Sequence, residues 1–344
     1  MTKVAIVILN YNGKHFLQKF LPNVVSQSGE NVIWVADNAS TDGSIQWLRQ
    51  EMPQVQTLEI ATNLGYAGGY NYALEHIEAE YYILLNSDVE VTPNWIDPVI
   101  QWMDSDSSIG FCQPKIKSYH LKSHFEYAGA GGGFLDRFGY AFCRGRVFDT
   151  LEEDKGQFDD TTDVFWATGA CLFVRSSIFK QLGGFDSSFF AHMEEIDLCW
   201  RSLQAGYRVT YCGHSTVYHV GGGTLHKSNP KKTFLNYRNN LAMLYKNLPS
   251  SYVFPIIFAR LILDGLSSIR FLMTGAIPDI FAIVKAHFAF YAMIPELAKQ
   301  KEKIKKESLT LLYPHSVVWQ YFALGKHHFN KLPNLTTLFK APKL

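Results

Sequence analysis

Along the N-terminal part of the chain, short continuous apolar runs alternate with stretches whose apolar positions recur at helical spacing. Val4-Ala5-Ile6-Val7-Ile8-Leu9 is rich in β-branched residues and stops at Asn10-Tyr11-Asn12-Gly13. Such a run predicts a strand covered on both faces, followed by a turn. Phe16, Leu17, Phe20, Leu21, Val24 and Val25 then fall on one helical face. Val32 to Ala36, Val55 to Ile60 and Tyr81 to Leu85 read as further strands, and Ile109 to Cys112 as a fifth. Ile45 to Met52 and Tyr70 to Ile77 read as helices between them.

Strands alternating with helices at this interval mean βαβ units. The expected fold is therefore α/β, a Rossmann-like, mostly parallel sheet with helices on both faces. Ligands of such sheets bind beyond the carboxyl ends of the strands, where this chain places Asp37-Asn38 and Asn86-Ser87-Asp88. Residues 119–163 break the pattern with Gly-rich and charged segments, and predict a long loop over the site. Regularity resumes at Phe165 to Arg175, with a helix over Ile178 to Leu182 and a turn at Gly183-Gly184-Phe185-Asp186. A helix over Glu195 to Ala205 and a strand over Tyr207 to Tyr211 follow, and Tyr218 to Gly223 reads as a turn or flexible loop.

From Phe234 the pattern is helical, and it suggests a catalytic unit over 1–245 with a helical, basic extension over 246–344. Between Tyr252 and Ile294 the chain is strongly apolar, interrupted by Arg260, Asp264, Arg270, Asp279 and Lys285. No uninterrupted stretch approaches the roughly 20 apolar residues of a spanning helix. Arg260, Asp264, Ser267 and Ser268 share one narrow face opposite a wide apolar one, the pattern of an amphipathic helix lying in a membrane interface. A helix packed on the catalytic unit is the competing reading, and the basic run Lys299 to Lys306 favours the membrane.

Composition narrows this picture only a little. The formal charge of +1 carries no polyanion-binding signature, so a nucleic-acid partner is not expected. Aromatic residues at 15% suit sugar or base stacking, and equally a large core. Five widely spaced cysteines without a C-x-x-C pair argue against a disulfide framework or a zinc site and fit a reduced, cytosolic chain. Met1-Thr2-Lys3 leads straight into the first strand, with no signal-peptide pattern.

Acidic residues carry the candidate chemistry. Asp37, at the end of the second strand, is placed to accept from a base or ribose hydroxyl, whereas Asp42 and Ser40 are explained as helix caps. The glycines of Asn63-Leu64-Gly65-Tyr66-Ala67-Gly68-Gly69 allow backbone N–H groups to approach a phosphate or base. They do not form the dinucleotide pattern G-x-G-x-x-G, so an oxidoreductase is disfavoured. Asp88, with Glu90, suffices for a hard divalent ion bridging a diphosphate. Glu194, Glu195 and Asp197 open a helix, where the dipole alone favours acids. They are more acid than a cap needs, and transfer with inversion needs one carboxylate to take the acceptor proton. His219 is either a further metal ligand or structural.

Taken in order, Val7-Ile8-Leu9-Asn10-Tyr11-Asn12, Ala36 to Ser44, Asn63 to Gly69, Asn86 to Glu90, Gly183 to Asp186, the acidic cluster and His219 resemble family 2 glycosyltransferases. The resemblance covers roughly residues 3–245 and is nearest the rhamnosyltransferase-like branch that builds bacterial cell-surface polysaccharides. It implies a GT-A fold, Mg²⁺ or Mn²⁺, and inversion at the anomeric carbon. The implied donor is dTDP-rhamnose or a UDP-sugar, and the implied acceptor is a glycan or lipid-linked hydroxyl at the inner membrane face. On that pattern Asn10, Asn12, Asp37, Asn38, Asn63, Gly65, Gly68, Asn86 and Ser87 serve the nucleotide-sugar, and Asp88, Glu90 and His219 the metal. The family's Glu-Asp pair has Glu195 in its second place here, so Glu195 leads Glu194 and Asp197 as the base. Processive members carry Q-x-x-R-W and several spanning helices; this chain has neither, which implies addition of one or a few sugars. A catalytically silent sugar-nucleotide or glycan-binding module on the same fold is the alternative, and Asp88 together with the acidic cluster argues against it.

Overall fold

The computed structural model describes residues 2–221, 229–301, 304–335 and 338. The apolar runs form a central sheet as their composition predicts: β1 (Thr2–Asn10), β2 (Val32–Asp37), β3 (Gln56–Glu59) and β4 (Ala79–Asn86). These pair in parallel in the order β3-β2-β1-β4. The helices between them are α1 (Lys14–Gln27), α2 (Ser44–Glu51) and α3 (Gly65–His76). Successive side chains of a strand point to opposite faces, so a continuous apolar run feeds two cores at once. Val4, Ile6 and Ile8 join Leu17, Leu21 and Leu48 on one face, while Ala5 and Val7 join Tyr70, Ala73 and Leu74 on the other.

Beyond β4 the sheet continues through β5 (Val89–Val91), α4 (Asp97–Asp104), β6 (Ile109–Ser118) and a small sheet described below. That small sheet comprises β7 (Gly133–Leu135), β8 (Ala141–Cys143), β9 (Arg146–Val147) and β10 (Thr150–Leu151). Then come β11 (Thr161–Asp163), β12 (Cys171–Arg175), α5 (Ser176–Gln181), α6 (Glu194–Gln204) and β13 (Arg208–His219). The full order is β11-β13-β6-β12-β4-β1-β2-β3, with β5 on β13. Strands β1 to β4, β6 and β13 run one way, and β5, β11 and β12 run against them.

Two expectations are corrected. Residues 119–163 are not a structureless loop: the antiparallel sheet β7–β10 lies there, and β11 pairs with β13. Its strands are two or three residues long, too short for an alternation signal to stand out. Tyr218 and His219 end a strand rather than occupy a turn, because β13 extends along β6 and β5 to His219. Gly222 and Gly223 lie outside the described residues.

The C-terminal helices are α7 (Pro230–Asn247), α8 (Ser250–Met273) and α9 (Ile277–Gln300). Helix α7 packs on α6, α8 and α9. Asn229 starts it by accepting from Lys231 N at 2.9 Å, with Pro230 in the first turn. The polar face of α8 is turned inward. Arg260 and Asp264 are buried and paired at 3.1 Å, Arg260 donates to Phe138 O, and His287 of α9 meets Asp264 at 3.1 Å. The wide apolar face points out, with Phe254, Phe258, Leu266, Phe281 and Phe288 all more than half exposed. One length expectation also changes. Both helices have 24 residues, and the most apolar 18-residue stretches of the two have mean hydropathies of 1.6 and 1.5, enough by length and composition to cross a membrane. Their charges interrupt the apolar run without lowering its average far. Part of the basic run, Glu302 and Lys303, lies outside the described residues.

Candidate active site

A cavity of about 1080 Å³ opens at the carboxyl ends of β1, β2 and β4, under β7–β10 and beside α6 and α7. It lies at the upper end of the range for a ligand pocket. Asn12, Asn38, Asn63, Gly65, Asn86, Ser87, Asp88, Glu194, Glu195 and His219 line it.

Asn10 and Asp37 lie behind this wall. Asp37 is buried, and its oxygens accept from Asn10 Nδ2 at 2.9 Å and Ser40 N at 2.8 Å. Asn12 Oδ1 takes Thr41 N at 2.7 Å, and Asp42 takes Lys14 N, the first residue of α1, at 2.8 Å. The strand-end residues thus tie the first two βα turns to each other.

The glycine segment serves a different contact from the one its sequence suggests. The first N–H groups of α3 are already taken: Tyr66 N and Ala67 N donate to Phe190 O at 2.6 and 3.2 Å. Gly65 has φ +72, and a Cβ there would lie 2.4 Å from Phe190 O. Its lack of a side chain therefore admits the 190 loop, not a phosphate. Gly68 packs on Leu64 and does not line the cavity. Asn38 Nδ2, in turn, holds Asn63 Oδ1 and Gly65 O at 3.1 and 2.9 Å.

The candidate metal residues separate. Asp88 Oδ1 faces His219 Nε2 at 3.2 Å, and both are nearly buried. Glu90 instead pairs with Lys122 away from the cavity, because alternation along β5 sends it to the outer face. Glu126, which sequence reasoning missed, holds His219 Nδ1 at 3.1 Å. It sits in the irregular segment, where no spacing marks it. Burial works against charge in this trio. The two carboxylates nevertheless push His219 up to about 10, and His219 holds Asp88 and Glu126 below the usual carboxylate range. A carboxylate on Nδ1 is the usual outer support of a histidine that ligates a metal through Nε2. An ion such as Mn²⁺ would displace the Nε2 proton of His219, and Asp88 and His219 would then hold it. Among the described residues no three His, Cys, Asp or Glu side chains form a ready cage.

The acidic cluster also separates. Asp197 is fully buried but turned away from the cavity, where it joins Arg201 at 2.9 Å, Lys246 at 3.2 Å and Asn247 at 2.7 Å. It fastens α6 to α7, and its sequence assignment to the reacting groups is corrected. Glu194 and Glu195 do line the cavity, and each has an oxygen without a hydrogen-bond partner. Burial pushes Glu195 up to about 7; burial and the neighbouring Glu195 push Glu194 well above its usual range. Before them, Phe190, His192 and Met193 hold positive φ of 64, 70 and 72°. Asn239 of α7 pins this loop, another residue that helical periodicity alone did not mark.

The model of glycosyl transferase family 2 matches residues 5–183. The N-acetylglucosaminyl-diphospho-decaprenol L-rhamnosyltransferase of Mycobacterium tuberculosis is 28% identical over 236 residues, covering 64% of this chain and 76% of the relative. Rhamnosyltransferase WbbL of Escherichia coli is 27% identical over 221 residues, covering 60% of this chain and 80% of the relative. Among solved structures, GalNAc-T7 with UDP, GalNAc and Mn²⁺ superposes with a TM-score of 0.56 at 14% identity. That match covers 73% of this chain but only about half, 49%, of the GalNAc-T7 chain. S. aureus TarS 1–349 gives a TM-score of 0.51 at 14% identity, covering 94% and 92% of the two chains. At that identity these likenesses speak for the fold, and with the matched family model they carry one conclusion: the chain belongs to glycosyltransferase family 2 and has the GT-A fold.

Proposed function

We propose that this chain is an inverting transferase that moves one sugar from dTDP-rhamnose or a UDP-sugar to a hydroxyl of a glycan or lipid-linked acceptor in bacterial cell-surface polysaccharide synthesis. The observation that carries the reading is the meeting, in one cavity, of the Asp88–His219 pair with Glu195, whose carboxyl is poised near neutrality. A base works best with a pKa near the working pH. Glu195 takes the acceptor proton on a carboxylate oxygen, and the acceptor oxygen bonds to the anomeric carbon. The bond from that carbon to the diphosphate breaks on the opposite side, which inverts the centre. A Mg²⁺ or Mn²⁺ held by Asp88 and His219 would supply positive charge to the departing diphosphate. Glu194, pushed well above its usual range by burial and the neighbouring Glu195, lines the cavity beside it.

The acceptor side of the reading rests on the rhamnosyltransferase relatives, one of which is named for a diphospho-decaprenol substrate. The outward apolar face of α8 and α9 supports a cytoplasmic enzyme seated on the inner face of the membrane. Release of nucleoside diphosphate from a donor panel, with and without polyprenyl-linked acceptors, tests the activity. Donor binding without turnover on any acceptor would point to a silent module instead.

A further inference from the structure

Arg146 begins β9, in the small sheet that roofs the cavity. It is 4% exposed, yet its guanidinium has no carboxylate in ion-pair range among the described residues. Its neighbours are the Tyr127 ring, 4.1 Å from the guanidinium carbon, and Cys143 Sγ at 3.7 Å from Nη2. Its Nε has no partner. Other buried arginines are paired: Arg144 with Asp160 and Arg260 with Asp264. A buried cation left unpaired is costly unless an anion completes it, and this one faces the substrate cavity.

We infer that Arg146 is a phosphate-binding residue of the cavity, gripping a substrate phosphate through the unpaired edge of its guanidinium. A planar fork beside an aromatic ring suits a phosphate oxyanion better than a single point charge would. Two phosphates are within the proposed reaction, on which this inference rests: the donor diphosphate and that of a lipid-linked acceptor. Arg146 stands between both routes. On one side Glu126, next to Tyr127, supports His219 and so the donor end. On the other, Phe148, just past the end of β9, lines the cavity and meets Tyr321 and Phe322 at 5.1 Å, leading towards the outer apolar surface.

The test is calorimetric binding to the full chain, with dTDP and UDP in the presence of Mn²⁺ as donor probes and farnesyl diphosphate as acceptor probe. Arg146→Met keeps the length and packing on Tyr127 while removing the charge, so its thermal midpoint should hold or rise. Affinity for one probe class should fall about tenfold to a hundredfold, the scale of lost hydrogen bonds to a charged group. Arg146→Lys should fall between. Loss with the nucleotides assigns the donor phosphate; loss with farnesyl diphosphate assigns the acceptor. A wild type that binds no probe overturns the transferase reading and this one together. Normal binding by wild type and both variants overturns the Arg146 assignment alone.

Discussion

The side-chain amide of Asn239 donates to the carbonyl of His192 at 2.7 Å and shares its hydrogens with Phe189 O and Ala191 O, each at 2.9 Å. One buried amide on α7 thus holds the left-handed backbone that delivers Glu194 and Glu195. Non-glycine residues at positive φ persist only where their surroundings hold them. Asn239→Ala should lower turnover at least tenfold while leaving nucleotide affinity near wild type. Leaving those carbonyls short of a donor should cost about 1–3 kcal/mol of stability. Kinetics, calorimetry and a denaturation curve read the three together; an unchanged turnover removes the positioning role.

Glu195→Gln should abolish transfer with donor affinity retained. In the wild type, kcat/KM should climb as pH rises through about 7 and then level, because the base acts as carboxylate and burial raises its pKa to about 7. Stability should move the other way. The folded state holds this proton more tightly than the unfolded chain, so its contribution is lost as pH rises through about 7. A flat pH–rate profile would take Glu195 out of the base role.

Glu126→Gln keeps the size of the side chain but removes the negative charge at His219 Nδ1. Outer supports of this kind are worth about tenfold to a hundredfold in metal affinity. Titration with Mn²⁺ should show that loss, and transfer should recover when Mn²⁺ is raised. Equal Mn²⁺ affinity in variant and wild type would make Glu126 a packing residue only.

Asp197→Ala removes the buried carboxylate that joins Arg201, Lys246 and Asn247, leaving Lys246 with Asp186 and Arg201 with the carbonyls of Leu182 and Gly184. Because part of the pairing remains, the cost should be about 3 kcal/mol, the lower end for breaking a buried pair. The expected phenotype is therefore a large fall in chemical-denaturation midpoint. Purified variant that is as stable as wild type but inactive would return Asp197 to the catalytic group.

Phe254 and Phe281 are 79% and 72% exposed, on the outward face of α8 and α9. Replacing both by Asp should leave the melting temperature nearly unchanged, since neither is buried. Flotation with anionic phospholipid vesicles should show the wild type bound and the double variant released. Equal recovery of both in the unbound fraction would make that face something other than a membrane surface.

The α/β frame was legible in the chain because a doubly buried strand demands an unbroken apolar run, and Val4 to Leu9 or Tyr81 to Leu85 have no other economical explanation. Asp88, Glu194 and Glu195 were legible for a related reason: acids beside such runs are costly without a task. Local sequence could not say which way each acid points. Glu90 parts from Asp88 because Asp88 sits in the turn before β5 while Glu90 lies on the face of β5 opposite Val89 and Val91, and Asp197 turns inward because Arg201, Lys246 and Asn247 meet it there. Glu126 and Arg146 come to the cavity, and Asn239 to the loop before Glu194, from segments remote from the motifs they serve, so no spacing links them. The narrow polar face of α8 was read from periodicity alone, but that it packs inward and leaves the apolar face outward was decided only by tertiary contacts. The amino-acid order set which residues must be buried; the folded geometry set what each buried charge has for a partner.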